Sequence, residues 1–306
     1  MSNRLAVHFL DRIFEKPFLP ASGCYSNARE GAEWHDLRSC WGALISKSVT
    51  LEPRAGNPGH RLAEAPAGLL NSIGLQNPGI DVFLSEILPS MQSSHPEVIV
   101  NIAGSSSEEY IALIERLNEV EIAAIEVNLS CPNVSTGCMA IGTDPAQAQL
   151  LMSQLSRRSR HPLIAKLSPN VASIQPIVQA VEAGGAAGIS LVNTFLGLSL
   201  DIRRRRPVFQ RRFAGYSGPG IQPIALRLAA EACQATHLPV IGLGGITTAE
   251  DVIAFLMVGC HLVQLGTALL KNPTMITALG DEVIKLMDEL GFATVEEVRG
   301  SVIWDL

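Results

Sequence analysis

The chain lacks the cysteine spacing of a disulfide framework, an iron–sulfur cluster or a zinc site. It has no C-x-x-C pair, and its six cysteines stand apart from one another at Cys24, Cys40, Cys131, Cys138, Cys233 and Cys260. Reduced thiols in the cytosol are the simplest interpretation. We therefore expect a cytoplasmic protein without a metal site.

The chain also lacks an excess of positive charge, and neither a leader sequence nor a membrane span is expected from its sequence. Its formal net charge is −6, which argues against nucleic acid as the main partner. The first four residues include one basic residue and precede no long apolar region, so we expect no signal peptide. The uncharged run 183–200 contains four glycines and an asparagine, and a buried parallel strand accounts for it better than a membrane span.

Apolar residues make up 47% of the 306 positions, and charged residues make up 17%. Without a linker, tandem repeat or low-complexity tract, this composition predicts one large α/β domain over 1–306. Eight apolar runs are typical of buried strands: 18–23, 43–50, 98–104, 124–130, 163–169, 188–194, 239–245 and 262–268. Helical periodicity lies between most of them, as at 107–120, 145–158 and 248–258. The alternation predicts a (β/α)8 TIM barrel, with residues 4–14 as a strand or hairpin covering the barrel floor.

Polar side chains stand at the ends of the predicted strands, where barrel enzymes keep their chemistry. Two lysines and three asparagines at matching depths are hard to bury without a polar ligand: Lys47, Asn101, Asn128, Lys166 and Asn193. The stretch 126–133, E-V-N-L-S-C-P-N, adds a thiol that can accept a proton and amides that can hold a planar polar substrate. The alternative is that Cys131 is a small buried apolar residue.

Glycines after the last two predicted strands form a phosphate-binding signature, G-x-G-G at 242–245 and Gly266-Thr267. Isomerases, aldolases and flavoenzymes share this pattern. The added lysines favour FMN, because a cation beside the flavin stabilises its anionic reduced form, and Lys166 is our candidate for that cation.

A glycine- and proline-rich segment after the second predicted strand covers 52–58 and 70–79. It is either an ordinary surface loop or a ligand-binding one. In the second case, the Asn71 side chain and the backbone of Ile73, Gly74 and Leu75 can hydrogen-bond a planar heterocycle.

Together these motifs resemble the class 1 dihydroorotate dehydrogenases over essentially the whole chain. The matching stretches are 20–23, 47–58, 71–79, 128–133, 142–145, 166–169, 192–194, 217–219, 242–245 and 265–267. Cys131 distinguishes the chain from the membrane-associated class 2 enzymes, whose base is serine. The stretches 76–78 and 142–145 are most similar to the NAD-linked class 1B catalytic subunit, although Ser48 and Ser72 also occur in the fumarate-linked class 1A pattern.

The resemblance implies oxidation of (S)-dihydroorotate to orotate in pyrimidine (UMP) synthesis, with one FMN per chain. Cys131 would remove the proton from C5 while a hydride leaves C6 for the flavin. The residues implied for substrate binding are Lys47, Asn71, Ile73, Gly74, Leu75, Asn128, Asn133, Asn193 and Thr194. Those implied for FMN are Ser22, Lys47, Ser48, Asn101, Asn128, Lys166, Val192, Gly218, Gly244, Gly245, Gly266 and Thr267.

The class 1B resemblance further implies a partner, because the chain has no second nucleotide-binding fingerprint and no clustered cysteines. The partner subunit would carry FAD and a [2Fe–2S] cluster, pass electrons to NAD, and join a homodimer core in a heterotetramer. Neither a membrane nor nucleic acid is expected as a partner. The competing hypotheses are a class 1A enzyme, a phosphate-binding barrel lyase or isomerase, and a non-catalytic barrel with a structural cysteine.

One region departs from the family pattern, a loop with six of the chain's 23 basic residues between Arg203 and Arg212. A run of charge is usually a solvated surface. Because this loop follows the sixth predicted strand, it should lie near the cavity mouth. Steering of an anionic substrate and docking of an acidic partner are the functional alternatives.

Overall fold

The computed structural model describes residues 3–25, 27, 31–130 and 141–305. Its strands are, in chain order, β1 (Val7–Phe9), β2 (Arg12–Phe14), β3 (Phe18–Pro20), β4 (Leu44–Ile45), β5 (Leu62–Ala65), β6 (Gly68–Asn71), β7 (Val98–Ile102), β8 (Ala124–Asn128), β9 (Leu163–Lys166), β10 (Gly188–Leu191), β11 (Phe195–Gly197), β12 (Leu200–Asp201), β13 (Arg206–Pro207), β14 (Ala214–Ser217), β15 (Val240–Leu243) and β16 (Leu262–Leu265).

The α-helices are α1 (Gly31–Trp34), α2 (Leu37–Cys40), α3 (Ile80–Val82), α4 (Leu88–Ser94), α5 (Ser107–Leu117), α6 (Pro145–Ser156), α7 (Gln175–Ala183), α8 (Gln222–Ala235), α9 (Ala249–Met257), α10 (Thr267–Lys271), α11 (Ile276–Leu290) and α12 (Val295–Val298). A π-helical segment, Phe83–Ile87, joins α3 to α4. Within the described ranges, no helix is both long enough and apolar enough to cross a membrane.

Eight parallel strands form the barrel in the order β3-β16-β15-β10-β9-β8-β7-β4. The seam between its first and last strands is narrow, because Gly42 N, just before β4, donates to Phe18 O of β3 at 2.9 Å. A side chain at Gly42 would overlap the carbonyl oxygen of Lys16, so only glycine permits this approach. Each of the eight predicted runs contains one barrel strand, and the predicted TIM barrel is confirmed.

The barrel strands and helices follow from local sequence patterns. All five residues of β7 and all five of β8 are buried, as expected for parallel strands covered on both faces. Helix α6 begins after an Asp144 cap with proline at its first position, and α9 begins with the predicted capping box of Thr248 and Asp251. Observed helix ends differ from the predicted ones by no more than three residues.

The N-terminal hairpin β1–β2 closes the end of the barrel at which the strands begin. The Phe9 ring packs edge-on against Phe14 at 5.7 Å and against His261, which precedes β16, at 6.4 Å. A Cβ on Gly188, the first residue of β10, would lie 3.4 Å from the same ring. The expected hairpin on the barrel floor is therefore confirmed.

A second, antiparallel sheet of order β11-β14-β6-β5 was not anticipated from the sequence; we call it the outer sheet. It pairs β6, in the segment between β4 and β7, with β14, in the segment between β10 and β15. Across this pair, Asn71 Nδ2 donates to Gly215 O at 3.2 Å, although the two residues are 144 positions apart in the sequence. Its residues Leu69, Asn71 and Leu196 line the cavity described below. The outer sheet thus forms one wall at the mouth of the barrel.

Candidate active site

A cavity of about 520 Å³ lies at the carboxyl ends of the barrel strands, a volume in the range of small-molecule sites. Every described residue that was predicted to bind substrate or flavin lines it: Ser22, Lys47, Ser48, Asn71, Ile73, Gly74, Leu75, Asn101, Asn128, Lys166, Val192, Asn193, Thr194, Gly218, Gly244, Gly245, Gly266 and Thr267. Cys131 and Asn133 lie outside the described residues. The predicted ring of strand-end side chains therefore meets in one space.

The inner end of the cavity rests on five buried polar residues, which we call the buried cluster: Asn101, Glu126, Lys166, Ser190 and Gln264. The carboxylate of Glu126 is at its centre and is fully buried. Its Oε1 accepts hydrogen bonds from Asn101 Nδ2 at 2.6 Å and Lys166 Nζ at 3.1 Å. Its Oε2 accepts from Gln264 Nε2 at 2.7 Å and Ser190 Oγ at 2.8 Å. Four donors thus saturate one carboxylate.

Burial by itself would raise the pKa of Glu126. The Lys166 charge and the hydrogen bonds from Gln264, Ser190 and Asn101 outweigh it and hold that pKa below its usual value. The carboxylate is therefore ionised at neutral pH. The buried cluster pairs one negative charge behind the cavity with one positive charge, that of Lys166, facing into it.

Glu126 and Gln264 were not among the site residues predicted from the sequence. Each is a polar residue in the middle of an apolar strand whose neighbours are all buried. A polar residue at such a position indicates a polar interaction inside the barrel, because a buried polar or charged side chain needs a hydrogen-bond or ion-pair partner there.

A second lysine reaches the cavity from the opposite side of the ring. Burial, helped by the nearby Arg61 cation, lowers the pKa of Lys47. Its backbone N–H donates to Asn27 Oδ1 at 2.6 Å. Unlike Lys166, Lys47 forms no ion pair with a carboxylate in the part of the chain that the structure describes.

Two glycines of the predicted phosphate-binding signature, Gly244 and Gly245, adopt backbone conformations that favour glycine, and so does Gly218, which the family resemblance implied for FMN. Gly218, Gly244 and Gly245 have φ of 111°, 130° and 79°. A Cβ at Gly245 would meet the backbone of Gln222 at 2.8 Å, so this part of the cavity wall is bare backbone. Close by in the ring, Thr267 Oγ1 donates to Ser217 Oγ at 2.8 Å.

The Ser22 hydroxyl is buried at the cavity wall and has no hydrogen-bond partner among the described residues. A buried hydroxyl without a partner is costly, so this one points to a polar ligand group. Together with the glycine-lined wall and the Lys166 cation, it fits a ligand with both a phosphate and a polar ring. FMN is such a ligand.

The loop 71–75 is held against the cavity by Asn57, a residue the sequence analysis did not assign to the site. Asn57 N donates to Ile73 O at 3.0 Å, and Asn57 Nδ2 donates to Ser72 Oγ at 3.0 Å. Gly74 and Leu75 both have positive φ, 74° and 56°. Left-handed backbone at a non-glycine residue is strained, and such strain clusters at ligand sites.

The basic loop reaches the same place through Arg211, whose Nε donates to Asn57 Oδ1 at 3.1 Å. Arg211 and the exposed Phe213 both line the cavity mouth. By contrast, Arg203 and Arg204 do not line the cavity; they lie between β12 and β13, where their backbone N–H groups donate to Asp201. One arginine of the run therefore belongs to the cavity, a distinction that the sequence analysis did not make.

Amide side chains on β8 and after β10 form a second polar wall. Asn193 Nδ2 donates to Asn128 Oδ1 at 3.3 Å, and the same oxygen accepts from Ser130 N at 3.1 Å. Asn170 Nδ2 donates to Thr194 O at 3.0 Å. These bonds orient Asn128 and Thr194 toward a shared space with the loop 71–75.

Cys24 is a cavity-lining thiol that the sequence analysis left unassigned. Burial raises the pKa of this thiol, although the Lys166 charge acts in the opposite direction. It therefore stays protonated at neutral pH and is a poor proton acceptor.

A (β/α)8 barrel with a cavity at the carboxyl ends of its strands, lined by two lysines and a glycine wall, is typical of a barrel enzyme. Comparison with known proteins identifies the family: the chain belongs to the dihydroorotate dehydrogenases, whose family model matches residues 4–287. Members of this family are flavin-dependent oxidoreductases.

Two relatives illustrate the similarity. A protein of Bacillus cereus (strain B4264) named dihydroorotate dehydrogenase B (NAD(+)), catalytic subunit, is 43% identical over 299 residues, covering 97% of this chain and 96% of the relative. A protein of Bacillus mycoides (strain KBAB4) with the same name has the same identity and coverage. The predicted similarity to the class 1B catalytic subunit is confirmed, and the lyase and isomerase hypotheses are left without support.

Proposed function

We propose that residues 1–306 form a single FMN-binding domain that oxidises (S)-dihydroorotate to orotate in de novo pyrimidine synthesis. The observation that carries the proposal is the cavity. In a chain of this family, all described residues expected to hold substrate and flavin line one space at the strand ends.

The residues around the cavity fit FMN as the resident flavin. The glycine wall at Gly218, Gly244 and Gly245 would take the phosphate, and Ser22 Oγ would donate to a polar group of the ligand. Lys166 would lie beside the polar edge of the ring. When bound, FMN supplies the two-electron chemistry by accepting a hydride from C6 of dihydroorotate.

The substrate would be held by amides on both sides of the cavity. The loop 71–75 offers the Asn71 side chain and left-handed backbone at Gly74 and Leu75. Asn128, Asn193 and Thr194 form the other wall, and Lys47 contributes a cation for an anionic substrate. Asn133 is proposed with this group from its place in the stretch 128–133.

Cys131 is the proposed general base that removes the C5 proton. In the sequence it directly follows Ser130, which lines the cavity two positions after the end of β8. Because Cys24, a thiol within the cavity, stays protonated, it does not offer a competing base.

The experiment for this proposal is anaerobic mixing of the purified yellow protein with dihydroorotate. Flavin absorbance should bleach in a single turnover, and orotate should appear in equal amount. Protein that binds FMN but is not reduced by dihydroorotate would contradict the proposed substrate. Protein with no affinity for FMN would contradict the proposed cofactor.

The proposed terminal acceptor is NAD+, reached through a partner subunit that carries FAD and a [2Fe–2S] cluster. The relatives named as catalytic subunits of an NAD(+) enzyme support this arrangement. The proposed assembly is a heterotetramer built on a homodimer of this chain. Alone, the chain should reduce artificial acceptors but not NAD+. Rapid NAD+ turnover without a partner would contradict the arrangement, and rapid fumarate turnover would favour class 1A.

A further inference from the structure

The buried cluster contains a charge for which the proposed mechanism has no use. Glu126 does not line the cavity, yet its carboxylate is fully buried and accepts four hydrogen bonds. Ionic groups of this kind are costly to bury and do not stabilise a fold better than apolar residues of the same size. The position therefore calls for a functional reason.

The four donors to Glu126 belong to four different barrel strands. Asn101 is on β7, Lys166 on β9, Ser190 on β10 and Gln264 on β16. Three of them, Asn101, Lys166 and Gln264, also line the cavity. Glu126 is thus the common anchor behind the side chains that form the inner end of the site.

Anchoring by a carboxylate also fixes which way the amide groups point. Because Asn101 donates through Nδ2, its Oδ1 is left to accept from Ser48 Oγ at 2.5 Å. Because Gln264 donates through Nε2, its Oε1 lies 3.3 Å from Lys166 Nζ. A neutral amide at position 126 would not accept from all four donors.

The carboxylate has an electrostatic effect as well. Lys166 alone would present a full positive charge to the cavity, but Glu126 Oε1 lies 3.1 Å behind its ammonium. A ligand in the cavity therefore experiences the positive end of a charge pair rather than an isolated cation. Such a pair favours added negative charge on the ligand less strongly than a lone lysine does.

We propose that Glu126 is a positioning residue that orients Asn101, Lys166 and Gln264 and offsets the Lys166 charge, so that it limits how strongly the site prefers reduced over oxidised flavin. This inference rests on the proposed function, because it concerns the flavin. It assigns to Glu126 a role beyond holding the barrel together, and it suits an enzyme whose electrons must move on to a low-potential acceptor.

The test compares the two oxidation states of FMN bound to the purified protein, by equilibrium reduction against a reference dye. Glu126→Gln keeps the side-chain size and removes the charge. We expect it to raise the ratio of reduced-flavin to oxidised-flavin affinity by about tenfold or more, which is about 30 mV for a two-electron couple. A ratio equal to that of the wild-type protein, or lower, would overturn the proposal.

A charge-relocation variant makes the test independent of simple damage. Glu126→Gln combined with Gln264→Glu keeps one carboxylate in the buried cluster but moves it to a side chain that lines the cavity. In this double variant the ratio of reduced-flavin to oxidised-flavin affinity should fall below the wild-type ratio. This change is opposite in sign to the one expected for Glu126→Gln alone. If Glu126→Gln retains no flavin, this double variant decides the question. No change in its ratio, or a rise, would then overturn the proposal.

Ser190→Ala is the matched control, because it removes one hydrogen bond to Glu126 without changing any charge. We expect the ratio of reduced-flavin to oxidised-flavin affinity of Ser190→Ala to stay within about threefold of the wild-type value, since the hydroxyl that it removes carries no net charge and does not line the cavity. A shift as large as that of Glu126→Gln would assign the effect to packing and overturn the proposal. Wild-type protein that binds no FMN would contradict the proposed function itself.

Discussion

The two ends of the cavity are built in different ways. The buried cluster at the inner end is shielded from solvent, and each of its members comes from a barrel strand. The outer sheet and the loop 71–75 at the mouth are half-buried, and their contacts join residues as far apart in the sequence as Asn71 and Gly215. Charge at the inner end acts at low dielectric, whereas charge at the mouth is screened by water.

Because of this difference, we expect the two ends of the cavity to control different properties of the enzyme. In the proposed function, the inner end would set the electrostatic environment of the flavin, because its charges are buried and poorly screened. The mouth would select and orient the substrate through amide side chains and backbone groups. Substitutions at the inner end should therefore alter the affinity for the cofactor and the free energy of unfolding. Substitutions at the mouth should alter the affinity for the substrate.

Cys131, the proposed base, lies outside the described residues, and its substitution should have the largest effect on the reaction. Cys131→Ser should still bind FMN and orotate but slow flavin reduction by roughly 10²- to 10⁴-fold, the usual contribution of a general base. Anaerobic stopped-flow absorbance measures this rate directly. Cys233→Ser, on α8, is the matched thiol control and should react like the wild-type protein. Nearly unchanged reduction in Cys131→Ser at neutral pH would show that the base is another residue.

The two lysines of the cavity provide a sharp contrast, because Lys166 is buried and paired with Glu126 whereas Lys47 forms no ion pair with a described carboxylate. Lys166→Ala should lose most of its FMN and about 3–5 kcal/mol of unfolding free energy, because Glu126 would be left as a buried charge without its ion-pair partner. Lys47→Ala should weaken substrate binding yet change the unfolding free energy by less than about 1 kcal/mol. Flavin content and urea unfolding measure both effects. Equal losses of stability in the two variants would contradict the contrast.

The closed end of the barrel extends the comparison to a region without a proposed catalytic role. Burial, with the Arg299 cation, lowers the pKa of His261 to about 4 despite the opposing charge of Glu296. The unfolded chain binds a proton here below about pH 6.5, whereas the folded chain does so only near pH 4. The contribution of His261 to the free energy of unfolding is therefore fully present above pH 6.5 and is lost as the pH falls toward 4.

His261→Gln should flatten that pH dependence by up to about 3 kcal/mol between pH 6.5 and 4, as measured by urea unfolding at each pH. Flavin reduction at neutral pH should be unaffected, because His261 lies at the end of the barrel away from the cavity. An unchanged pH profile of stability would assign the acid sensitivity to other groups.

At the mouth, Arg211→Gln should have the smallest effect. Loss of its bond to Asn57 and of its charge should raise KM for dihydroorotate by about three- to tenfold, with kcat and stability nearly unchanged. The increase should shrink at high salt, because exposed charges are screened. Arg212→Gln, the exposed neighbour, is the control. Equal effects from the two substitutions would indicate general steering by the basic loop rather than a role of Arg211 at the cavity.

Strand order, barrel architecture and the ring of strand-end side chains were all predictable from residue order. Apolar runs of the right length specify buried strands, and the carboxyl ends of parallel strands in a barrel must meet at one end. Residue order alone therefore predicts that Asn101, Asn128 and Lys166 meet in one cavity. Local patterns of this kind depend on near neighbours in the chain, which the sequence displays directly.

The partners of those side chains were decided by the tertiary structure. Glu126 meets Gln264 across 138 residues, and Arg211 meets Asn57 across 154, through contacts that no local pattern records. The outer sheet likewise forms because two excursions from distant strands happen to be adjacent at the barrel mouth. The field behind the cavity, the pKa of Glu126 and the shape of the mouth all depend on these distant pairings, since electrostatic and packing energies are set by separation in space rather than along the chain.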